Sequence, residues 1–475
     1  MTGWRNLGDV VAGAREPGRT ALIDLSDAAA PREWTFDDLD RAAAAVARGL
    51  VGHGRKRGER VAILSANRAE YLAVFLGAMR AGLVAVPVNL KLPVTAIEHI
   101  LHDAAVSLVF VDRERRPAVS VGVPVVALDA ELDAFADSGA FSTVDPDPDE
   151  VAMILYTSGS SGLPKGVPLT HAGALWTTAH RLRATPDMEQ HRLLVAAPLY
   201  HMNALWVSCV VALPGRASVV MLPRFTARPY IEAIAQYRCT WLTAIPTMMA
   251  LVLQDAAALA AADCSSVRRI GIGSAPLTQA LVDRVKAAFP GAAVTNGWGT
   301  TESGPVAFGP HPRGVPRPDV ALGYPVEGVE VRLVAGDDHE ADEGVLQIRT
   351  PALMPGYLNL PHKTAEVMTA DGYYVHRRRH AARRRRLLRL RRAGRRHVRV
   401  RRREHLPRRG RDDARASSGH PAGLRGGRAR RGAGGQAGGL RRAGGRGGAE
   451  RRGGQAVGAV QRAAVPAPPP RRVRE

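Results

Sequence analysis

From Arg60 onward, short runs of apolar and β-branched residues alternate with longer amphipathic stretches. Val61-Ala62-Ile63-Leu64 predicts a strand, Glu70 to Ala81 a helix and Val84 to Val88 a strand. Ala96 to Ala105 predicts a helix, and Leu108-Val109-Phe110-Val111 a strand. The alternation resumes with the apolar run Val151 to Tyr156, a helical stretch from His171 to Ala184, and strands around Leu193, Val219 and Trp241. Arg269 to Ile272 is a further strand and Leu277 to Phe289 a further helix. Strands alternating with helices imply parallel sheets covered by helices. From Ala321 to Thr350 the pattern changes to short alternating strands with turns, such as Val329-Glu330-Val331-Arg332-Leu333. The expected fold is α/β: a large N-terminal domain of parallel or mixed sheets covered by helices, plus a small β-rich subdomain.

This pattern stops at His376. The last hundred residues contain no Ile, Met, Phe, Tyr, Trp, Lys, Asn, Thr or Cys and consist largely of Arg, Gly and Ala with a terminal run of Pro. Such a segment buries too little apolar surface to offset the ordering of its backbone, so a disordered tail is expected over 376–475, after a domain spanning 1–375. The tail also changes the reading of the charge. It carries 33 Arg and five acidic residues, or +28, so the overall +22 leaves the first 375 residues at −6. The basicity that would suggest a nucleic-acid partner belongs to the tail alone. With no aromatic residue to stack on bases, that tail implies at most non-specific electrostatic binding.

Cys209, Cys239 and Cys264 have no C-x-x-C spacing and lie among apolar or small residues, as reduced buried thiols do. The N-terminus, Met1-Thr2-Gly3-Trp4-Arg5, lacks the apolar core of a signal peptide. No apolar run reaches the roughly 18 residues of a membrane span. The expectation is a cytoplasmic protein.

The chemistry concentrates in a few segments. Tyr156-Thr157-Ser158-Gly159-Ser160-Ser161-Gly162-Leu163-Pro164-Lys165-Gly166 follows an apolar strand. Small hydroxyl and glycine residues let a backbone approach a polyphosphate, with N–H groups and hydroxyls as donors. Lys165 would add a point charge at the β- and γ-phosphates. The segment is not a Walker A loop, since Pro164 precedes the lysine and Gly166 stands where that loop needs Ser or Thr.

It closely resembles the phosphate-binding signature of the adenylate-forming (AMP-binding) superfamily, which includes the acyl-CoA synthetases. Further segments agree with that family in order. Asn296-Gly297-Trp298-Gly299-Thr300-Thr301-Glu302 resembles its second signature. The resemblance implies that Trp298, in place of the usual tyrosine, stacks on adenine, that threonine touches phosphate, and that Glu302 holds Mg²⁺, a hard cation suited to carboxylate and phosphate oxygens. Gly271-Ile272-Gly273-Ser274-Ala275-Pro276 resembles the adenine-side loop, with Gly273, Ser274, Ala275 and Pro276 against the nucleotide. Ala197-Pro198-Leu199-Tyr200-His201-Met202-Asn203 resembles the acyl-pocket motif, which places His201 by the substrate carboxylate with Met202 and Asn203 beside it. Arg349 to Tyr357 resembles the approach to the hinge, with an architectural role.

Amino-acid-activating relatives carry an Asp near the acyl-pocket motif that pairs with the substrate ammonium. Pro198 to Leu205 contains no acid, and an unpaired ammonium in an apolar pocket is costly. The implied substrate is therefore a carboxylic acid without an α-amino group, aliphatic or aromatic. The implied reaction uses ATP, Mg²⁺ and CoA: the carboxylate attacks the α-phosphate to give acyl-AMP, and the CoA thiol then takes the acyl group. Lys165, Thr301 and Glu302 would stabilise the transferring phosphates.

After Val375 the resemblance fails. The family continues with a Thr-Gly-Asp that binds the ribose, a hinge resembling Gly-Arg-x-Asp-Asp, and a C-terminal domain with a catalytic lysine. This chain continues His376-Arg377-Arg378-Arg379-His380. Codons CAC-CGG-CGA-CGT encode His-Arg-Arg-Arg, and dropping the first base yields Thr-Gly-Asp-Val. The same shift lets Leu390 to Arg411 encode a hinge-like F-V-G-R-A-D-D and the start of the family's C-terminal domain. The residues from His376 thus read as an out-of-frame product, and impaired activity is expected. Two other readings compete: a nucleotide-pocketed protein whose basic tail binds nucleic acid, and a stand-alone adenylating enzyme that loads a carrier protein.

Overall fold

The computed structural model describes residues 3–399 except 120–121, 159–161, 312, 336–342, 384–386, 390 and 394–396. Two sheets dominate. One is seven-stranded and runs Ala293–Gly297, Arg269–Gly273, Trp241–Ala244, Arg192–Val195, Ser218–Met221, Thr20–Asp24, Arg32–Thr35. Its pairings are parallel except at the last strand, which turns back antiparallel. The other is six-stranded and runs Val125–Ala127, Val106–Val111, Arg60–Leu64, Val84–Pro87, Val151–Ser158, Pro164–Thr170. It too is parallel until an antiparallel edge strand closes it. That edge begins with Pro164, which cannot donate to a ladder and is tolerated there because one side of an edge strand needs no donor.

The helix Ala69–Arg80 is buried along its whole length, and this explains why its sequence is apolar nearly all round. Its two charged residues are buried only with partners. Arg80 donates to the Gly8 carbonyl at 2.8 Å and pairs with Asp40; Glu70 pairs with Arg32 and with Arg68. Burial pushes the Glu70 carboxyl up, but the two guanidinium groups outweigh it and hold the group below its usual value. Against this helix lies Phe36–Gly52, which buries Phe36, Leu39, Ala43, Val46, Ala47 and Leu50. Thr35 and Asp38 cap it reciprocally, the Thr35 hydroxyl accepting from Asp38 N–H while the Asp38 carboxylate accepts from Thr35 N–H. That helix, with the strands Thr20–Asp24 and Arg32–Thr35, lies ahead of the point where the hydrophobic alternation becomes readable.

The β-rich subdomain is a six-stranded sheet of Phe308–Gly309, Ala321–Pro325, Leu387–Arg389, Tyr374–Arg383, Glu343–Arg349 and Glu330–Val334. The compositional break at His376 is therefore not a break in the backbone. His376–Ala381 stays paired with Glu343–Leu346, and Ala381–Arg383 with Leu387–Arg389, because ladder hydrogen bonds use backbone groups whatever the side chains. The register, however, jumps there. Leu346 faces His376, but Val345 faces Arg379, so two residues bulge out immediately after His376. The expected disorder of 400–475 lies outside the described residues. Cys209 and Cys239 are free and buried, whereas Cys264, expected buried, is only half-buried, because it sits in the loop before strand Arg269–Gly273 rather than inside the sheet.

Candidate active site

Every segment singled out for chemistry lies at the carboxyl end of a strand, the usual position for ligands in an open α/β sheet. Tyr156, Thr157 and Ser158 end Val151–Ser158; Gly273 ends Arg269–Gly273; Gly297 ends Ala293–Gly297; and Ala197–Asn203 follows Arg192–Val195. Gly273 pairs with Gly297, so the Ser274-Ala275-Pro276 loop and the Trp298-to-Glu302 segment leave adjacent parallel strands side by side. A Cβ on Gly273 would stand 2.7 Å from the Gly297 carbonyl oxygen, so the approach requires glycine. Ser274 adopts φ +64°, in the left-handed region that costs most residues energy and recurs at functional loops.

In the first segment, Tyr156 pairs with Gly166, Thr157 with Lys165 and Ser158 with Pro164, which makes the motif a β-hairpin. Gly159, Ser160 and Ser161 lie outside the described residues; Gly162 follows with φ +100°. The Tyr156 hydroxyl donates to the Asp103 carboxylate at 2.7 Å. Burial, with that carboxylate, pushes the phenol well up, so it stays a neutral donor. Thr157 Oγ1 is buried without a hydrogen-bond partner among the described residues.

In the second segment, Trp298 packs edge-on against Phe308 at 5.2 Å and against His376 at 5.4 Å. Thr300 and Gly304 close a tight turn, with the Thr300 hydroxyl bonded to Ser303 Oγ at 2.8 Å and accepting from Ser303 N–H at 3.0 Å. Thr300, expected against the nucleotide, thus spends its hydroxyl shaping the turn that presents the partly buried Thr301 and Glu302. Asn296 donates to the Val320 carbonyl at 3.0 Å, while its Oδ1 is buried without a partner among the described residues. Thr157 Oγ1 and Asn296 Oδ1 are thus one buried polar atom in each of the two segments without a hydrogen-bond partner among the described residues.

The two segments converge on Tyr357. Lys165 Nζ lies 3.9 Å from the centroid of its ring, and its hydroxyl donates to Glu302 Oε1 at 2.9 Å. The backbone around it ties the same pieces together. Leu358 N–H donates to the Gly166 carbonyl at 2.9 Å, Met354 N–H to the Glu302 carbonyl at 2.9 Å, and the Thr350 hydroxyl to the Ser303 carbonyl at 3.0 Å. Asn359 reaches Asp103, which also holds Tyr156. The stretch Arg349 to Tyr357, expected to be architectural, is a clasp between the two signatures. Sequence reasoning missed Tyr357 because a tyrosine beside glycine resembles any loop aromatic; its signal was position alone.

His201 is exposed at the mouth of the acyl-side loop, with Met202 and Asn203 half-buried beside it and Tyr200 edge-on at 4.6 Å. Surrounding protein and then the Lys91 charge push its imidazolium down, which favours the neutral ring. The helix that follows, Asn203–Val210, is wound wide, with i→i+5 bonds such as Val211 N–H to the Trp206 carbonyl, a geometry frequent at functional sites. Asn67, at the carboxyl end of Arg60–Leu64 in the other sheet, pins this loop. Its amide donates to the Ala197 and Leu222 carbonyls at 2.9 and 3.0 Å and accepts from Leu199 N–H at 2.8 Å. Replacing Asn67 by Ala should destabilise the chain by about 2 kcal/mol, since it leaves three backbone groups unpaired, two of them buried. A shift in urea midpoint worth under about 0.5 kcal/mol would show that water replaces these bonds at no cost.

No helix among the described residues is long and apolar enough to cross a membrane. Comparison with known proteins gives a consistent result. The AMP-binding enzyme family matches residues 10–358. A feruloyl-CoA synthase from Amycolatopsis sp is 32% identical over 351 residues, covering 72% of this chain and 69% of the relative. The crystal structure of ATP-bound MatB from Rhodopseudomonas palustris superposes with a TM-score of 0.73 at 26% identity, covering 81% of this chain and 77% of that one. An inhibitor-bound N-terminal domain of FACL13 from Mycobacterium tuberculosis shares the fold, with a TM-score of 0.73 at 22% identity, over 85% of this chain and the whole of that one. On the matched span, the relatives and the fold, this chain belongs to the AMP-binding enzyme family, as an acid–thiol ligase of the AMP-forming type.

Proposed function

We propose that residues 1–375 bind MgATP and a carboxylic acid without an α-amino group, and carry the first half of an acyl-CoA synthetase reaction whose remaining machinery is out of frame from His376. The observation that carries this reading is the convergence of Lys165 and Glu302 on one tyrosine at the carboxyl ends of the sheets. Thr157, Ser158 and the segment 159–162 would receive the phosphates, with Lys165 supplying positive charge. Ser274, Ala275, Pro276 and the edge of Trp298 would wall the adenine, with Asn296 and the glycines Gly273, Gly297 and Gly299 forming its floor. Glu302 offers the carboxylate for Mg²⁺, which when bound neutralises phosphate charge. Thr301 stands next to it to steady the transferring phosphate. His201 and the Asn67-pinned loop would orient the acid, and the name of the feruloyl-CoA synthase relative puts aryl acids first in an assay panel.

The interrupted C-terminal part is also supported by position. His376 packs on Trp298, so residues 377–379 follow directly beside the proposed adenine wall, where the family's Thr-Gly-Asp would meet the ribose. The chain has three arginines there, and the strand register slips at that point.

The first test is nucleotide binding by the chain as it stands. Calorimetry should detect MgATP binding, with Lys165→Ala weakening it roughly tenfold or more, as expected for loss of a charge-assisted contact. Glu302→Gln should weaken the Mg²⁺-dependent part. If the wild-type chain binds MgATP and neither variant alters it, the nucleotide lies elsewhere and this assignment is wrong.

A further inference from the structure

One side chain holds both charges of the proposed site. The ammonium of Lys165 sits over the ring face of Tyr357 at 3.9 Å, and the carboxylate of Glu302 accepts from its hydroxyl at 2.9 Å. A ring face attracts a cation through its quadrupole, and a phenol donating to a carboxylate makes a strong charge-assisted bond. The two contacts use different parts of one rigid group. One rigid group therefore touches both charged side chains.

Tyr357 is itself tightly set. It is 6% exposed, its N–H donates to Thr364 Oγ1 at 2.9 Å, and the next residue bonds the Gly166 carbonyl. Gly356 before it has φ +153°, and a Cβ there would meet Thr364 Cγ2 at 2.9 Å, so a glycine is required to seat the ring. Its place is fixed by backbone from the first signature on one side and the second on the other, since Met354 N–H bonds the Glu302 carbonyl.

We propose that Tyr357 is the positioning residue of the phosphate–metal site: its ring face seats the Lys165 ammonium, and its hydroxyl orients Glu302 toward the cation. The hydroxyl engages one Glu302 oxygen, Oε1, which sets the direction of the carboxylate. Groups that hydrogen-bond a metal-ligating carboxylate fix its orientation, and losing one typically costs ~10–100-fold in metal affinity.

The proposal rests on the MgATP reading above, so the experiment separates the two. ATP binding to the full chain is titrated with and without Mg²⁺, for wild type, Tyr357→Phe and Tyr357→Leu, with Lys165→Ala and Glu302→Gln as controls. Tyr357→Phe keeps the ring and loses only the hydroxyl. It should raise the Mg²⁺ concentration needed for half-maximal ATP binding about tenfold, while metal-free ATP binding and melting temperature stay within error. Tyr357→Leu loses both contacts and should weaken metal-free ATP binding as well. If the two Tyr357 variants reduce all readouts in parallel with melting temperature, the tyrosine is only a packing residue and the proposal fails. It also fails if the controls weaken binding while Tyr357→Phe leaves the Mg²⁺ requirement unchanged. If the controls themselves have no effect, the site reading is wrong and the proposal falls with it.

Discussion

Deleting one base at codon 375 or 376 is expected to turn a chain that forms no detectable acyl-CoA into one that does. Residues 376–475 contain no lysine and no Thr-Gly-Asp, so this stretch supplies neither the ribose contact nor the mobile lysine implied by the family resemblance. The reframed chain should regain Thr-Gly-Asp, the hinge and the start of the downstream domain, and the moved stop should let the lysine-bearing end be translated. Removing one preorganised charge at a developing anion usually costs about 10²–10³ in rate, and here the second half-reaction loses its thiol site as well. AMP release should therefore rise by at least ~10²-fold, with thioester appearing only in the reframed protein, in an assay of aryl and fatty acids with ATP and CoA. Nucleotide binding, which depends on residues before Val375, should change far less. Equal rates of acyl-CoA formation from the two chains would sink the frame reading. So would a reframed protein that binds MgATP and a carboxylic acid yet stays silent with every acid in the panel.

Much of the fold was readable because hydrophobic period and strand length agreed. The strand at Arg269–Gly273 was expected from Arg269 to Ile272, and the helix at His171–Arg183 from His171 to Ala184. The N-terminal quarter was harder to read. Phe36–Gly52 buries Phe36, Leu39, Ala43, Val46, Ala47 and Leu50 at helical spacing against Ala69–Arg80 and starts at the Thr35/Asp38 capping pair, but it lies ahead of the strand–helix alternation that opens at Arg60. Pro164–Thr170 hid for another reason: two prolines and a glycine argue against a strand, yet this one is an edge. For the site, contiguous motifs were visible because each crosses a strand–loop junction. Tyr357 and Asn67 act across the fold, through partners more than a hundred residues away in the case of Asn67 and the acyl-side loop, and no local pattern records such a contact. The register slip after His376 was likewise invisible in composition, since an arginine-rich strand and an arginine-rich coil read alike.

The chain should lose stability as pH falls from about 6.5 toward about 4, and a single substitution at His171 should remove much of that loss. His171 opens the helix after the phosphate hairpin and is 2% exposed. Its Nδ1 accepts from Leu7 N–H at 3.0 Å, which requires the neutral ring with its proton on Nε2. Burial pushes its pKa down to about 4; Glu150 opposes this and Arg57 adds to it. The unfolded chain takes up this proton near pH 6.5, whereas the folded chain resists it until about pH 4. Folding is therefore fully favoured above pH 6.5 and progressively less so between the two values, by roughly 3 kcal/mol in total. His180, His191 and His201 are depressed as well, so the slope has several contributors and the informative quantity is the difference between proteins. His171→Gln offers an uncharged acceptor to Leu7 N–H. It should cost about 1 kcal/mol at pH 7.5 and flatten the dependence of the urea midpoint between pH 6.5 and 4. The Leu7–Asp9 turn, which His171 anchors, should become protease-sensitive first on acidification of the wild type and not of the variant. An unchanged slope in His171→Gln would mean that the proton enters elsewhere, and that the link between the N-terminal turn and the phosphate hairpin does not respond to pH.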